Sequence, residues 1–276
     1  MTEKKAYLYL DPERFFEVEM VKAIRLGNDL LLNEQILENY LSQVAPVPFH
    51  PDFQFGKEIN ENLSNHGLGK TFDIFLQGRT SEPIYRLERN EHQLSETSST
   101  RFTSIWQIEI PGINDETAAI GWILHSDYSG AFPKASGIGG IRIRAGNIQI
   151  GDEKILEHAF PEARFNLWTV GEFHITSKKF IPNGRRDDLE HNLHYDNFKS
   201  VAKTYLSELS QILRKTSGHR NLLKESKNTR LAAQEKWQSL KVFGRSKKIQ
   251  DHILEKLQTS KTKFEALLNH DEEWSI

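Results

Sequence analysis

Hydrophobic positions change their period twice along the chain. From Leu30 to Leu41, apolar residues recur at helical spacing (Leu30, Leu31, Ile36, Leu37, Tyr40, Leu41), and Asn33 stands where a cap belongs. The run APVPFHP, Ala45 to Pro51, ends that helix, because proline cannot continue it. A shorter helix is expected in FGKEINENLSN, residues 55–65, and a strand in FFEVEM, residues 15–20.

The period then shortens towards two. TFDIFLQG, FTSIWQIEI, TAAIGWILH, GIRIRAGNIQIG and LWTVGEFHI are rich in β-branched and aromatic residues, and several alternate. IRIR-AGN-IQI reads as a hairpin in which Gly146 and Asn147 supply the positive φ of a tight turn. EKILEHAF, Glu153 to Phe160, is expected to be a short helix between two strands, so a strand–helix–strand crossover within a mixed sheet is expected. Beyond residue 195 the helical period returns. One stripe holds Phe198, Val201, Ala202, Tyr205, Leu209, Ile212 and Leu213; a second holds Ile249, Ile253, Leu257, Phe264 and Leu268. The expected class is α/β (α+β), in three parts: a strand and helical linker over 1–66, an α/β domain over 67–194, and a helical tail over 195–276.

Composition narrows the functional classes. With 276 residues, 37% hydrophobic, and sixteen Phe and five Trp, the chain can bury a core. A net charge of −2 gives no global attraction to nucleic acid or acidic membranes. The absence of cysteine removes thiol nucleophiles, disulfides and cysteine-ligated zinc, and fits a reducing compartment. No stretch reaches the roughly 20 apolar residues of a membrane span, and the charged N-terminus has no apolar signal core. A cytoplasmic protein is expected.

Several segments have the spelling of chemistry. Gly69, Lys70 and Thr71 match the end of a phosphate-binding loop, but Ser64 stands at the first glycine, a helical pattern precedes and a strand pattern follows. The alternative there is a glycine-terminated helix. Glu58 and Asn62 share a helix face at the spacing of a general base and a magnesium-binding Asn, without the glycine loops such a site needs. His191 and His194 lack a third ligand at a recognisable spacing. Ser129, Lys134 and Ser136 have hydrolase-like types but no nucleophile elbow. FIPNGRRDDLEHN, residues 180–192, is more informative. Pro-Asn-Gly is a turn signal, Arg185 and Arg186 follow it, and Asp187 or Asp188 is placed to cap a helix. A guanidinium forks onto phosphate oxygens; its plainer use is a surface pair with Asp187, Asp188 or Glu190.

FEVEMVKAIRLGNDLLLN, YLSQVAPVPF, GGIRIRAGNIQIGD, RFNLWTVGEFHI and IPNGRRDDLE together resemble the part downstream of the nucleotide domain in the superfamily of gyrase, heat-shock protein 90, histidine kinases and MutL. The similarity is to its heat-shock-protein-90-like ATPases and covers about residues 15 to 195. It implies a transducer domain of the ribosomal-protein type, with a strand–helix–strand crossover that departs from the usual hand. It also implies a basic residue offered to the ATP γ-phosphate. In heat-shock protein 90 that loop reads N-x-x-R-E; Asn183, Arg186 and Asp187 fit N-x-x-R-acid, with Asp in place of Glu. Arg186 is the implied phosphate sensor and Arg185 the second choice, with Asn183, Gly184 and Asp187 shaping the loop.

The resemblance places ATP and magnesium in the complete protein and none on this chain alone, because the nucleotide domain belongs before residue 15. A separate nucleotide-binding domain and a client or partner protein are the implied partners, and a homodimer is compatible. Neither a membrane nor a nucleic acid is expected, since acids interrupt the basic stretch from Arg220 to Lys248. The alternatives are a non-catalytic scaffold or defence-associated interaction module, and a self-sufficient phosphate-loop enzyme.

Overall fold

The computed structural model describes residues 33–76, 82–114 and 116–243, together with further helical positions between 247 and 262. The FFEVEM strand and the Ile249–Leu268 stripe lie outside the described residues. Helix α1 (Glu34–Val44) begins as its sequence signals: the Asn33 side chain accepts from the Ile36 amide at 3.1 Å. Helix α2 (Gly56–Asn65) ends in a Schellman arrangement. Leu68 N–H reaches Leu63 O, Gly67 N–H reaches Ser64 O, and Gly67 takes a φ of +69° that a side chain would resist.

A small hairpin, β1 (Glu91–Ser95) and β2 (Ser98–Arg101), precedes the main sheet. That sheet holds β3 (Ser104–Pro111), β4 (Thr117–His125), β5 (Gly140–Ala145), β6 (Ile148–Ile150) and β7 (Val170–Ile175). Their spatial order is β3-β4-β7-β5-β6. β5 and β7 run parallel and the other neighbours antiparallel, so the sheet is mixed. The β5–β6 turn forms at Gly146 (φ +59°) and Asn147 (φ +63°), as the AGN tripeptide predicts. A single helix, α3 (Leu193–Phe243), follows; its 51 residues make it about 75 Å long.

Three expectations are corrected. Residues 71–76 form no strand: Phe72 N–H bonds Pro46 O and Ile74 O accepts from Ile84 N–H, isolated contacts without a ladder. The expected helix over 153–160 is a turn and a 3-10 segment, Glu157–Ala159, with a second 3-10 segment at Ala163–Trp168. The Asp152 side chain takes the Lys154 amide at 2.8 Å in a local turn, and Pro161 blocks continuation, so the segment between them is too short to propagate a helix. The cap of α3 is neither Asp187 nor Asp188 but Asn192, whose side chain accepts from the Tyr195 amide at 3.0 Å.

The register assigns each strand residue to one of two faces. On one, Ile108, Ala119, Ile123, Ile141, Ile143, Phe173 and Ile175 meet Tyr195, Phe198, Ala202, Leu206, Leu209 and Leu213 of α3. Phe198 crosses Phe173 edge-on at 5.6 Å. Full burial of each large apolar side chain contributes about 1.5–3 kcal/mol, which fixes the first six turns of α3. On the other face, Ile120, Trp122, Leu124 and Val170 are covered by Phe49, Phe53, Ile59 and Leu63 from α2 and the segment before it. Beside them the same face carries Arg142, Arg144, Glu172 and His174, all buried.

Candidate functional site

The loop bearing Arg185 and Arg186 is braced at both ends. Pro182 and Leu189 form an antiparallel bridge, Asn183 N–H donates to Asp188 O at 3.0 Å, and Glu190 N–H to Ile181 O at 2.7 Å. Inside this neck, Arg186 N–H closes a tight turn on Asn183 O at 2.9 Å. The Asn183 amide donates to Asp187 Oδ1 at 2.6 Å and its oxygen accepts from the Asp187 amide at 3.2 Å. Asn183 and Asp187 thus hold each other and the turn between them. Asp188 points inward instead, accepting from Leu189 N–H and the Tyr195 hydroxyl, both at 2.7 Å. Burial, then the Asp188 carboxylate, pushes the Tyr195 hydroxyl pKa up, so it stays a donor.

The left-handed position of this turn is not the glycine. Gly184 has open space around it and lies outside the left-handed region; Arg186 holds φ +56°. A side chain there costs about 1–3 kcal/mol, and such strain is concentrated at functional positions. The conformation is held from outside: Gly151, at the end of β6, donates its amide to Arg186 O at 2.8 Å. A Cβ on Gly151 would lie 2.8 Å from Asp187 O, so only glycine permits that approach. The two arginines differ. Arg185 Nε lies 3.1 Å from Asp187 Oδ2, an exposed pair of small energetic weight. Arg186 is exposed and has no ion-pair partner among the described residues.

A second constellation went unread in the sequence. Glu172 sits between two guanidiniums: Arg86 Nη1 reaches Oε2 at 2.5 Å and Arg144 Nε reaches Oε1 at 2.5 Å. His174 Nε2 lies 3.0 Å from Oε2. Burial alone would raise the Glu172 pKa, but Arg144, Arg86 and His174 outweigh it and hold the carboxyl well below its ordinary range. Burial lowers the His174 pKa, so the ring is neutral, its Nε2–H donates to Glu172, and Nδ1 has no partner among the described residues. Burial and the neighbouring Arg86 pull Arg144 down to about 10, which leaves it protonated at neutral pH. Glu88, also buried, is pushed up by burial and by the charge on Glu172.

The other guanidinium hydrogen bonds reach the main chain and one side-chain amide. Arg86 Nε donates to Val47 O at 3.0 Å and Arg144 Nη2 to Gln43 O at 2.7 Å. Arg86 Nη2 donates to Asn147 Oδ1 at 2.6 Å, and the Asn147 amide to Lys70 O at 2.7 Å. The cluster therefore clamps residues 43–47 and 70 onto the sheet. Part of the signal was present: Arg142 and Arg144, and Glu172 and His174, are each two apart in a strand, which puts each pair on one face, and the β5–β7 register brings the two pairs to the same face.

The other sequence candidates are not assembled into sites. An α-helix precedes Gly69, Lys70 and Thr71, and residues 71–76 that follow are not helical, so no helix N-terminus directly follows Lys70 and Thr71 to face a phosphate. Glu58 accepts from the Gln107 amide at 2.7 Å. His191 and His194 pack their rings near Tyr195 and Phe180, and no three metal-ligating side chains converge among the described residues. Ser129 donates to the Asp127 carboxylate and Ser136 to Pro133 O at 2.6 Å, so neither of these hydrogen bonds pairs a hydroxyl with a histidine or lysine that could activate it. No helix among the described residues is long and apolar enough to cross a membrane. Comparisons with family models, with curated proteins and with solved structures each return no match for this chain.

Proposed function

We propose that this chain is the coupling part of a heat-shock-protein-90-like ATPase. In this reading Arg186 meets the γ-phosphate of an ATP held by a nucleotide-binding domain elsewhere, and α3 carries the resulting change to a client or second subunit. The observation that carries the proposal is the state of Arg186: exposed, without an ion-pair partner among the described residues, and held in a left-handed conformation by a braced loop. The brace fixes the backbone from which the guanidinium reaches and leaves the charge itself free to meet developing phosphate charge. The parallel pairing of β5 and β7, with β6 and the 3-10 connection between them in sequence, supports the transducer arrangement. Magnesium would be held on the nucleotide domain, where it would neutralise phosphate charge; this chain's part is the guanidinium and its brace.

The test is ATP turnover of the chain combined with its nucleotide-binding domain. Arg186→Ala should lower kcat on the order of 10²-fold, and Arg186→Lys should restore part of it, because an ammonium supplies charge without the fork. Arg185→Ala should change turnover far less. Equal turnover in Arg186→Ala and the parent would remove the proposal.

A further inference from the structure

Phe198, Ala202, Leu206, Leu209 and Leu213, all buried, follow one another at steps of three and four, so a single side of α3 lies on the sheet. The same steps carried past Leu213 lead to Arg220, Lys224, Lys227 and Leu231. Arg220 still touches the body: its Nη1 donates to Tyr128 O at 2.5 Å, and its guanidinium lies 5.6 Å from the centre of the Trp168 ring. This is the last hydrogen bond from α3 to the sheet domain among the described residues. Beyond it, the side of the helix that was apolar and buried becomes basic and exposed.

Between residues 214 and 235 there are six Lys and Arg against two Glu, whereas the whole chain carries 36 against 38. Arg214 is paired with Glu162 and Arg220 is engaged by Tyr128 O. Lys224, Lys227 and Arg230 are exposed and have no ion-pair partner among the described residues. At about 100° of turn per residue these three fall within roughly a third of the circumference, and Glu225 stands about 100° or more from each. Glu235 lies more than a turn beyond Arg230. The acids that interrupt this stretch in the sequence therefore leave a continuous basic patch on the helix.

A second copy of α3 laid on this patch would set like charges against each other. A membrane surface needs a broad apolar side to insert, whereas here only Leu223 and Leu231, 49% and 48% exposed, stand among the three cations. A row of phosphates fits better. Lys224 to Arg230 covers about 9 Å of helix axis, the rise of two to three base pairs. Exposed Asn221, Ser226 and Asn228 flank the cations with hydrogen-bonding groups of the kind that meet a phosphate backbone. A helix about 10–12 Å across enters the roughly 12 Å major groove of B-form DNA, while the major groove of A-form RNA is too narrow for it.

We propose that the part of α3 beyond Arg220 binds duplex DNA through Lys224, Lys227 and Arg230, by contacts to phosphates rather than to base edges. This inference does not rest on phosphate sensing by Arg186.

The experiment uses the whole chain and a fluorescently labelled DNA duplex of about 20 base pairs, with anisotropy read over a series of sodium chloride concentrations. Three phosphate contacts at about −0.9 each give a slope of log affinity against log salt near −3, so binding should weaken about 40-fold between 50 and 200 mM salt. Lys224→Gln, Lys227→Gln and Arg230→Gln should each reduce that slope by about one. The three changes together should weaken binding at least about 30-fold at 50 mM salt. Circular dichroism establishes that the variants, altered only at exposed positions, stay folded. No saturable DNA binding at 50 mM salt, or equal binding by the parent and the triple variant, would overturn the proposal. Tighter binding to an RNA duplex of the same sequence, or to phosphatidylserine vesicles, would overturn the choice of DNA.

Discussion

The two faces of the sheet are covered by opposite means. Under α3, apolar strand residues meet apolar helix residues. Under α1 and the segment that follows it, part of the cover is ionic and reaches the main chain of residues 43–47 through guanidiniums. The four buried polar side-chain atoms without a partner among the described residues are Trp122 Nε1, Arg142 Nε, Gln149 Oε1 and His174 Nδ1. All four residues lie on the ionic face by register. An apolar face tolerates small shifts at low cost, whereas a charged one holds a single geometry and loses heavily when one member is removed. Both faces therefore supply apolar stability, and the ionic part of the second face also sets where residues 43–47 sit.

Truncation of one residue on each face makes the contrast quantitative. Glu172→Ala leaves two buried guanidiniums facing each other and should destabilise by about 3–5 kcal/mol. Leu206→Ala, at 0% exposure on α3, should cost about 2–5 kcal/mol through a cavity. The discriminating readout is an added second change. Arg86→Met in the Glu172→Ala background should recover part of the loss, because one unpaired charge goes with it. No single substitution on the apolar face should rescue Leu206→Ala in this way. Urea unfolding of the four variants measures both; strict additivity of Arg86→Met and Glu172→Ala would show that the two groups do not share an energy.

Acid should weaken the fold through its buried histidines. Burial lowers the His174, His125 and His92 pKa values, the last to about 4 with Arg89 adding to the effect. Each ring stays neutral in the folded chain while the unfolded chain takes a proton near the ordinary value of 6.5. The unfolded state then binds more protons, so stability is complete above about pH 6.5 and falls as pH drops towards the folded values. Glu172, held well below 4.5, extends the loss at lower pH. Glu88 opposes it, since its raised folded pKa favours the folded state as the carboxyl takes up a proton. Unfolding free energy measured from neutral pH down to about pH 4 should decline, and His92→Gln should flatten the upper part of that decline. A curve level across this range would contradict the assignment of these rings as neutral.

Legibility followed the same division. β3, β4, the β5–β6 turn and the buried stripe of α3 could be read because they rest on period and turn chemistry. TFDIFLQG also alternates, but its pattern reflects packing of Ile74 and Leu76 on Val47 and Ile84 without strand pairing, a tertiary fact that no local rule contains. EKILEHAF has helical composition, yet an Asp152 turn and Pro161 leave it no length to propagate. The ionic cluster was visible only as Arg142, Arg144, Glu172 and His174 at alternate positions, a pattern usually discounted as a solvated strand face. Arg86, which completes it, has no periodic signature, because it arrives from irregular chain between Ile84 and the β1–β2 hairpin.

The smallest expected effect separates the arginine loop from both faces. Arg186 holds φ +56° with a full side chain, and glycine at that position removes the steric cost of the left-handed region. Arg186→Gly should therefore stabilise the chain by about 1 kcal/mol, offset in part by the larger backbone entropy of glycine in the unfolded state. Arg186→Ala keeps the Cβ and should show no such gain. Chemical unfolding of the three chains decides it. A gain on glycine substitution, together with lost turnover in the ATPase assay proposed above, identifies strain retained for function. A loss of stability with glycine would mean that the guanidinium contributes to folding, and Arg186 would then belong with the structural arginines of the sheet.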